Sequence, residues 1–151
     1  MKMKELKISA IREGTVIDHV PAERAFDIID ILDLDEMKNV VSIATNLQSR
    51  KMRKKGMVKI GGRFLTEEEA NKIAIIAPNA TMSIIRDYKV KKKGKLSLPK
   101  EIMKIIKCPN PKCITNKEDV KTRFYVLGEK PVKLRCHYCE RGFDAKEAEI
   151  K

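Results

Sequence analysis

A chain of 151 residues with 42% hydrophobic content carries enough apolar material for one ordinary domain or two small ones. No stretch approaches the roughly 18 consecutive apolar residues of a membrane span, and the opening MKMKELKISA alternates instead of presenting the apolar block of a secretory leader, so a cytoplasmic protein is expected. A net charge of +12 points to an anionic partner, either nucleic acid or a phosphorylated small molecule, while no Trp, three Tyr and four Phe speak against single-strand binding by base stacking.

Lys4 to Ile11 alternates, with Leu6, Ile8 and Ala10 on one face, and predicts a strand that turns at Glu13-Gly14. After Thr15-Val16-Ile17-Asp18-His19-Val20, Pro21 suits the first turn of a helix, which Ala25, Phe26, Ile29 and Leu32 continue at helical spacing. Val41, Ile43, Thr45 and Leu47 alternate as a second strand, and Met57 to Leu65 is a third, joined to it as an antiparallel hairpin. Thr66 with Glu69 forms a capping box at the start of a helix that runs to about Ala77, where Pro78 stops it. Thr81 to Val90 supplies a fourth strand. Strand, helix, strand, strand, helix, strand is the ferredoxin-like βαββαβ order, an α+β sandwich with two helices on one face of an antiparallel sheet.

The lysine run KVKKKGK at Lys89 to Lys95 marks a change of composition, and SLPK after it starts a short amphipathic helix holding Ile102, Met103, Ile105 and Ile106. The domains are therefore drawn at 1–97 and 98–151. The second is too small to sustain a core unaided. Its remedy is visible in the cysteines: all four fall here, as Cys108 with Cys113 and Cys136 with Cys139. In a reducing compartment two close pairs are metal ligands before they are disulfides. A closed thiolate set suits one structural Zn²⁺, with iron of the rubredoxin kind sharing the geometry. TRFYVL and VKLRC, joined through Gly128 to Pro131, form a hairpin that returns the second pair to the first, with Phe124, Val126 and Leu134 as a small core in an all-β, zinc-ribbon-like fold.

Two basic runs, Arg50 to Lys55 and Lys89 to Lys95, are ordinary solvated segments when taken singly, but the second follows a sheet strand and can hold phosphates over its edge. Asp18-His19 is a polar pair among apolar neighbours. No phosphate-cradling glycine loop or nucleophile elbow is present, so catalysis is not expected. On the residues alone, the first reading is a basic zinc-ribbon protein that binds RNA or DNA through these lysines.

The stretches GTVIDHVPAERAFDIIDIL, TNLQS, MVKIGGRFLTEEEANKIAIIAPNATMSIIRDYKV, SLPKEI, CPNPKCIT and LRCHYCERGF resemble the regulatory chain of aspartate carbamoyltransferase over nearly the whole length. The resemblance implies a non-catalytic subunit of pyrimidine biosynthesis. Its N-terminal domain would bind ATP and CTP, and its zinc domain would dock on trimers of the catalytic chain; the regulatory chains would pair as dimers, with no membrane or nucleic-acid partner. It implies that Lys93 and His19 meet phosphates, that Asp18 and Lys59 contact the ribose and nearby atoms, and that Ile11, Tyr88 and Val90 line the base pocket, with Lys55 assisting. Ser83 stands where the family's better-known member has Asn at a base contact, and Lys112 likewise replaces Asn between the first cysteines. Asn110 and Glu140 match docking positions.

Overall fold

The computed structural model describes residues 10–150. The first strand among the described residues, β1 (Gly14–Pro21), covers the segment between the expected turn at Glu13-Gly14 and the expected helix after Pro21. The strand expected over Lys4 to Ile11 lies outside the described residues apart from Ala10 and Ile11, which are not in a strand. The alternation that matters is Thr15 and Ile17, both fully buried, with half-buried Val16 between them.

The helix expected over Ala22 to Leu32 breaks into a 3₁₀ turn, Ala22–Arg24, and a five-residue helix α1 (Asp27–Ile31). Its inner face is Ala25, Ile28 and Leu32, while Phe26 points outward at 58% exposure. Strands β2 (Val41–Ser49) and β3 (Arg53–Gly61) form the expected hairpin, although β3 starts and ends earlier than Met57 to Leu65 suggested, because Arg53 to Lys55 of the first basic run belong to it. Helix α2 (Glu67–Ile76) follows with its capping box in place: Thr66 Oγ1 accepts from Glu69 N–H and Glu69 accepts from Thr66 N–H.

The predicted fourth strand is two. β4 (Thr81–Arg86) turns at Asp87-Tyr88 into β5 (Lys89–Lys95). Both turn residues are left-handed, φ 51° and 64°, as a two-residue hairpin turn requires. The lysine run is therefore an edge strand of the sheet. The order is β2-β3-β1-β4-β5 with every neighbour antiparallel. Without the added edge strand β5, this is the ferredoxin-like arrangement, and Ile17, Val20, Val58 and Ile60 meet Ile28, Leu32, Ile73 and Ala74 of the helical side in one buried core.

The second region contains no helix where SLPK was expected to start one. Glu101–Met103 is strand β6 and Ile106–Lys107 is β7, separated at Lys104, whose φ is 68°. Ile102, Ile105 and Ile106 are buried all the same, because the short bend turns them into a common core with Phe124, Leu134 and Phe143. β8 (Arg123–Glu129) and β9 (Val132–Cys136) make the expected hairpin, flanked by β6 and by β10 (Gly142–Asp144). β11 (Glu149–Ile150) pairs with β7. The fold is thus an α+β sandwich followed by a small all-β, cysteine-rich unit.

Candidate functional site

Two places collect chemistry. The first is where four chain segments deliver the cysteines. Cys108 lies just past β7, Cys113 ends the loop after it, Cys136 closes β9, and Cys139 ends the turn that follows. All four sulfurs fall within 4.8 Å of one another, with Cys108 to Cys139 at 3.8 Å and Cys113 to Cys136 at 3.7 Å. A disulfide needs about 2.05 Å, and all four thiols are free. A tetrahedron with metal–sulfur bonds of about 2.3 Å has edges of about 3.8 Å, which the two shortest separations match. The residues fit a closed S₄ site for a soft ion such as zinc.

The loops are built to hold that shape. Asn116 Nδ2 donates to the carbonyls of Cys108 and Asn110 at 2.9 and 2.8 Å, Cys113 N–H donates to Asn110 O, and Glu140 N–H donates to Cys136 O. The Thr115 hydroxyl lies 3.2 Å from the Cys113 sulfur. Burial pushes the thiols of Cys108 and Cys136 up. At Cys139 burial also raises, but the Arg141 backbone N–H, the Asn110 side chain and the neighbouring sulfurs outweigh it and bring the thiol down to about 7. Four thiolates this close need a cation between them, so metal uptake releases protons and weakens on acidification.

The second place is the sheet face opposite the helices. Val16 on β1 opposes Lys59 on β3 and Ser83 on β4; Ser83 in turn opposes Lys93 on β5. Opposed residues of a pleated sheet project from the same face, so Lys59, Val16, Ser83 and Lys93 form one row. The neighbouring row, Val58, Ile17 and Met82, points to the helices. Between Ile17 and Val20, both fully buried, the chain inserts two residues instead of one: the register with β3 slips there and His19 takes φ 58°. The bulge places Asp18 and His19 together. Lys55 Nζ bonds both Asp18 carboxylate oxygens at 2.8 and 2.9 Å, His19 N–H donates to Asp18 Oδ1 at 2.7 Å, and His19 Nδ1 lies 3.1 Å from Thr81 Oγ1.

Six of the nine sequence-predicted ligand residues, Asp18, His19, Lys55, Lys59, Ser83 and Lys93, thus meet on this face or at its bulge. Tyr88 and Val90 sit at the β4–β5 turn and edge, 67% and 59% exposed. Tyr88 N–H donates to Arg12 O, which brings Ile11's segment beside that turn, while Ile11 lines a surface hollow of about 780 Å³ with Lys38 to Val40 and Gly61-Gly62. The exposed Glu140 and half-buried Asn110 belong to the cysteine loops. Sequence reasoning missed Thr81, whose only signal is its register opposite Asp18, and Thr115 and Asn116, which follow Cys113 within three residues.

The architecture defines a two-part class of chain, an α+β sandwich joined to a small unit whose four cysteines fit a metal ion. Residues 6–97 match the family profile "aspartate carbamoyltransferase regulatory chain, allosteric domain", and residues 100–149 match "aspartate carbamoyltransferase regulatory chain, metal binding domain". Proteins named aspartate carbamoyltransferase regulatory chain are 54% identical over 147 residues in Pyrococcus abyssi, covering 96% of this chain and 97% of that one. Those of Thermococcus onnurineus are 50% identical, with 96% and 97% covered, and those of Parabacteroides distasonis 45%, with 99% and 97% covered. The chain belongs to the family of aspartate carbamoyltransferase regulatory chains, which are regulatory and not catalytic.

Proposed function

We propose that this chain binds ATP and CTP in competition on the open sheet face, holds one structural Zn²⁺ through Cys108, Cys113, Cys136 and Cys139, and docks on catalytic-chain trimers of aspartate carbamoyltransferase. It thereby sets the activity of pyrimidine biosynthesis in the cytoplasm. The division of labour follows domains 1–97 and 98–151, and two copies pair as a regulatory dimer. Family membership supports the partner; the row of Lys59, Ser83 and Lys93 beside the Asp18-His19 bulge carries the nucleotide reading.

In this reading Lys93 and His19 take the phosphates. His19 reaches Thr81, and Lys93 opposes Ser83 two residues along the same strand, so the imidazole and the lysine flank one stretch of β4. Lys55 neutralises Asp18 and fixes it for the ribose, with Lys59 near; Tyr88, Val90 and Ile11 supply apolar surface for the base, and Ser83 a hydroxyl. Regulation requires each nucleotide to favour one of two states of the assembly, since equal affinity shifts nothing; about 1–3 kcal/mol of difference is sufficient.

Calorimetric titration of Lys93→Ala with ATP and with CTP tests the reading. The expected loss is roughly 10-fold or more in affinity for both nucleotides, the scale of one charge-assisted contact, with assembly onto the catalytic trimer retained. Unchanged affinity refutes the assignment. A steep salt-dependent affinity for duplex or single-stranded nucleic acid, with no nucleotide heat, would replace it with the nucleic-acid reading.

A further inference from the structure

The outer face of the β8–β9 sheet carries a cluster that neither the ion nor the open face of the sandwich uses. Glu101, Tyr125 and Arg135 are opposed across β6, β8 and β9, so they share the face turned away from Phe124 and Leu134. The guanidinium carbons of Arg123 and Arg135 lie 5.5 and 5.4 Å from the centre of the Tyr125 ring. The Tyr125 hydroxyl is 2.6 Å from His137 Nδ1, and His137 N–H donates to Arg123 O. Tyr138, 43% exposed, packs edge-on against His137 at 5.0 Å. Since His137 follows the ligand Cys136, the cluster is fixed to the metal loop.

Resting on the docking reading above, we propose that this patch is a principal anchor for the catalytic chain, taking an acidic segment of that partner's surface. Tyr and Arg held rigid before contact are the residue types that dominate interface energetics, because little side-chain freedom is left to lose. Arg123 is already matched by Glu101, with Nε and Nη2 at 3.1 and 2.9 Å from one carboxylate oxygen. Arg135 is exposed and has no acidic partner among the described residues, so it can meet a carboxylate on the partner's surface. A nucleic-acid occupant fits less well. Two guanidiniums already attend the Tyr125 ring and its hydroxyl is engaged, so little of the ring is left to stack a base.

The test measures the affinity of the full-length, zinc-loaded chain for the catalytic trimer by analytical ultracentrifugation. Arg135→Glu is expected to raise the Kd roughly 30-fold and Tyr125→Ala at least about 10-fold, with zinc content and nucleotide affinity as in the wild type. Should Tyr125→Ala lose zinc, the exposed Arg135→Glu and the ring-preserving Tyr125→Phe still decide. Wild-type assembly with all variants equally tight overturns the anchor and leaves the docking reading standing; a wild type that never joins the trimer overturns both. Binding of a short RNA that the same substitutions weaken, without an effect on the trimer, also overturns the proposal.

Discussion

One extra residue in β1 decides where the polar chemistry of the sandwich sits. Asp18 and His19 occupy the space of a single outward residue, and the cost of His19's left-handed backbone is offset by its bonds to Asp18 and Thr81 and by the burial of Ile17 and Val20 on either side. Opposite the bulge, Gly56 pairs with Val20, and a Cβ there would stand 2.7 Å from the Cβ of Ala25, which is fully buried. Gly56→Ala must push the first 3₁₀ turn off the sheet. Urea unfolding is expected to show about 1–3 kcal/mol of destabilisation, and nucleotide affinity should fall with it because the bulge is clamped between the same elements; an unchanged midpoint would mean that Ala25 moves freely. The polar pair was legible in the sequence as an anomaly among apolar residues. That two residues rather than one leave the core face was not, because register is set by strand pairing across some forty residues of chain.

At the scale of elements, the ones read correctly carry their own local signal. Helix α2 has a capping box and a proline stop; β2 brings Val41 and Ile43 against the core before its register shifts between Ala44 and Leu47; the β8–β9 hairpin is a pair of β-branched and aromatic runs. The misreadings have physical reasons. The lysine run resembles a linker, yet an edge strand exposed on both faces can be all lysine, and charge there also discourages unwanted pairing. Ile102, Ile105 and Ile106 have helical spacing, but a bend at Lys104 and Ile105 buries the same three, Ile102 and Ile106 from two short strands and Ile105 from the bend between them. The Ala22 to Leu32 segment has the period of one helix and is interrupted between Arg24 and Asp27. Arg63 then ties this segment to α2, donating to Leu32 O at 2.8 Å while its guanidinium pairs with Glu69. Burial raises the Glu69 carboxyl, but the Thr66 N–H and Arg63 outweigh it and hold it below the usual value. A depressed carboxylate contributes stability above its unfolded pKa of about 4.3 and loses it as pH falls through the folded value. Glu69→Gln should therefore cost about 1 kcal/mol at neutral pH, and the gap in Tm from wild type should close on acidification toward pH 3. A gap independent of pH would show that the carboxylate's charge contributes nothing.

At the scale of the molecule, two cores share one helix. Ile73, Ala74 and Ala77 of the α2 region pack into the sandwich, while Ile75 is buried in the core around the cysteines. Leu98 and Ile150 touch both. The cysteine-bearing unit is of a size that rarely folds on its core alone, so its order depends on an ion whose binding energy is folding energy. Stripping the ion with a mercurial and a chelator should therefore release strands β6 to β10 to rapid amide exchange while β1, β3 and β4 stay protected, because the sandwich keeps Ile17, Val58, Ile60 and Ile73 buried without help from the second core. The sandwich should lose protection only around Ile75, at the end of α2. On the proposed function, nucleotide heats are expected to persist in such material and assembly with the catalytic trimer to be lost. Returning Zn²⁺ restores assembly, and lowering the pH before its return slows the recovery, since protons compete for the four sulfurs. If exchange instead rises uniformly through both sheets, the shared helix welds the chain into a single cooperative unit, and nucleotide binding and docking cannot be separated by removing the metal.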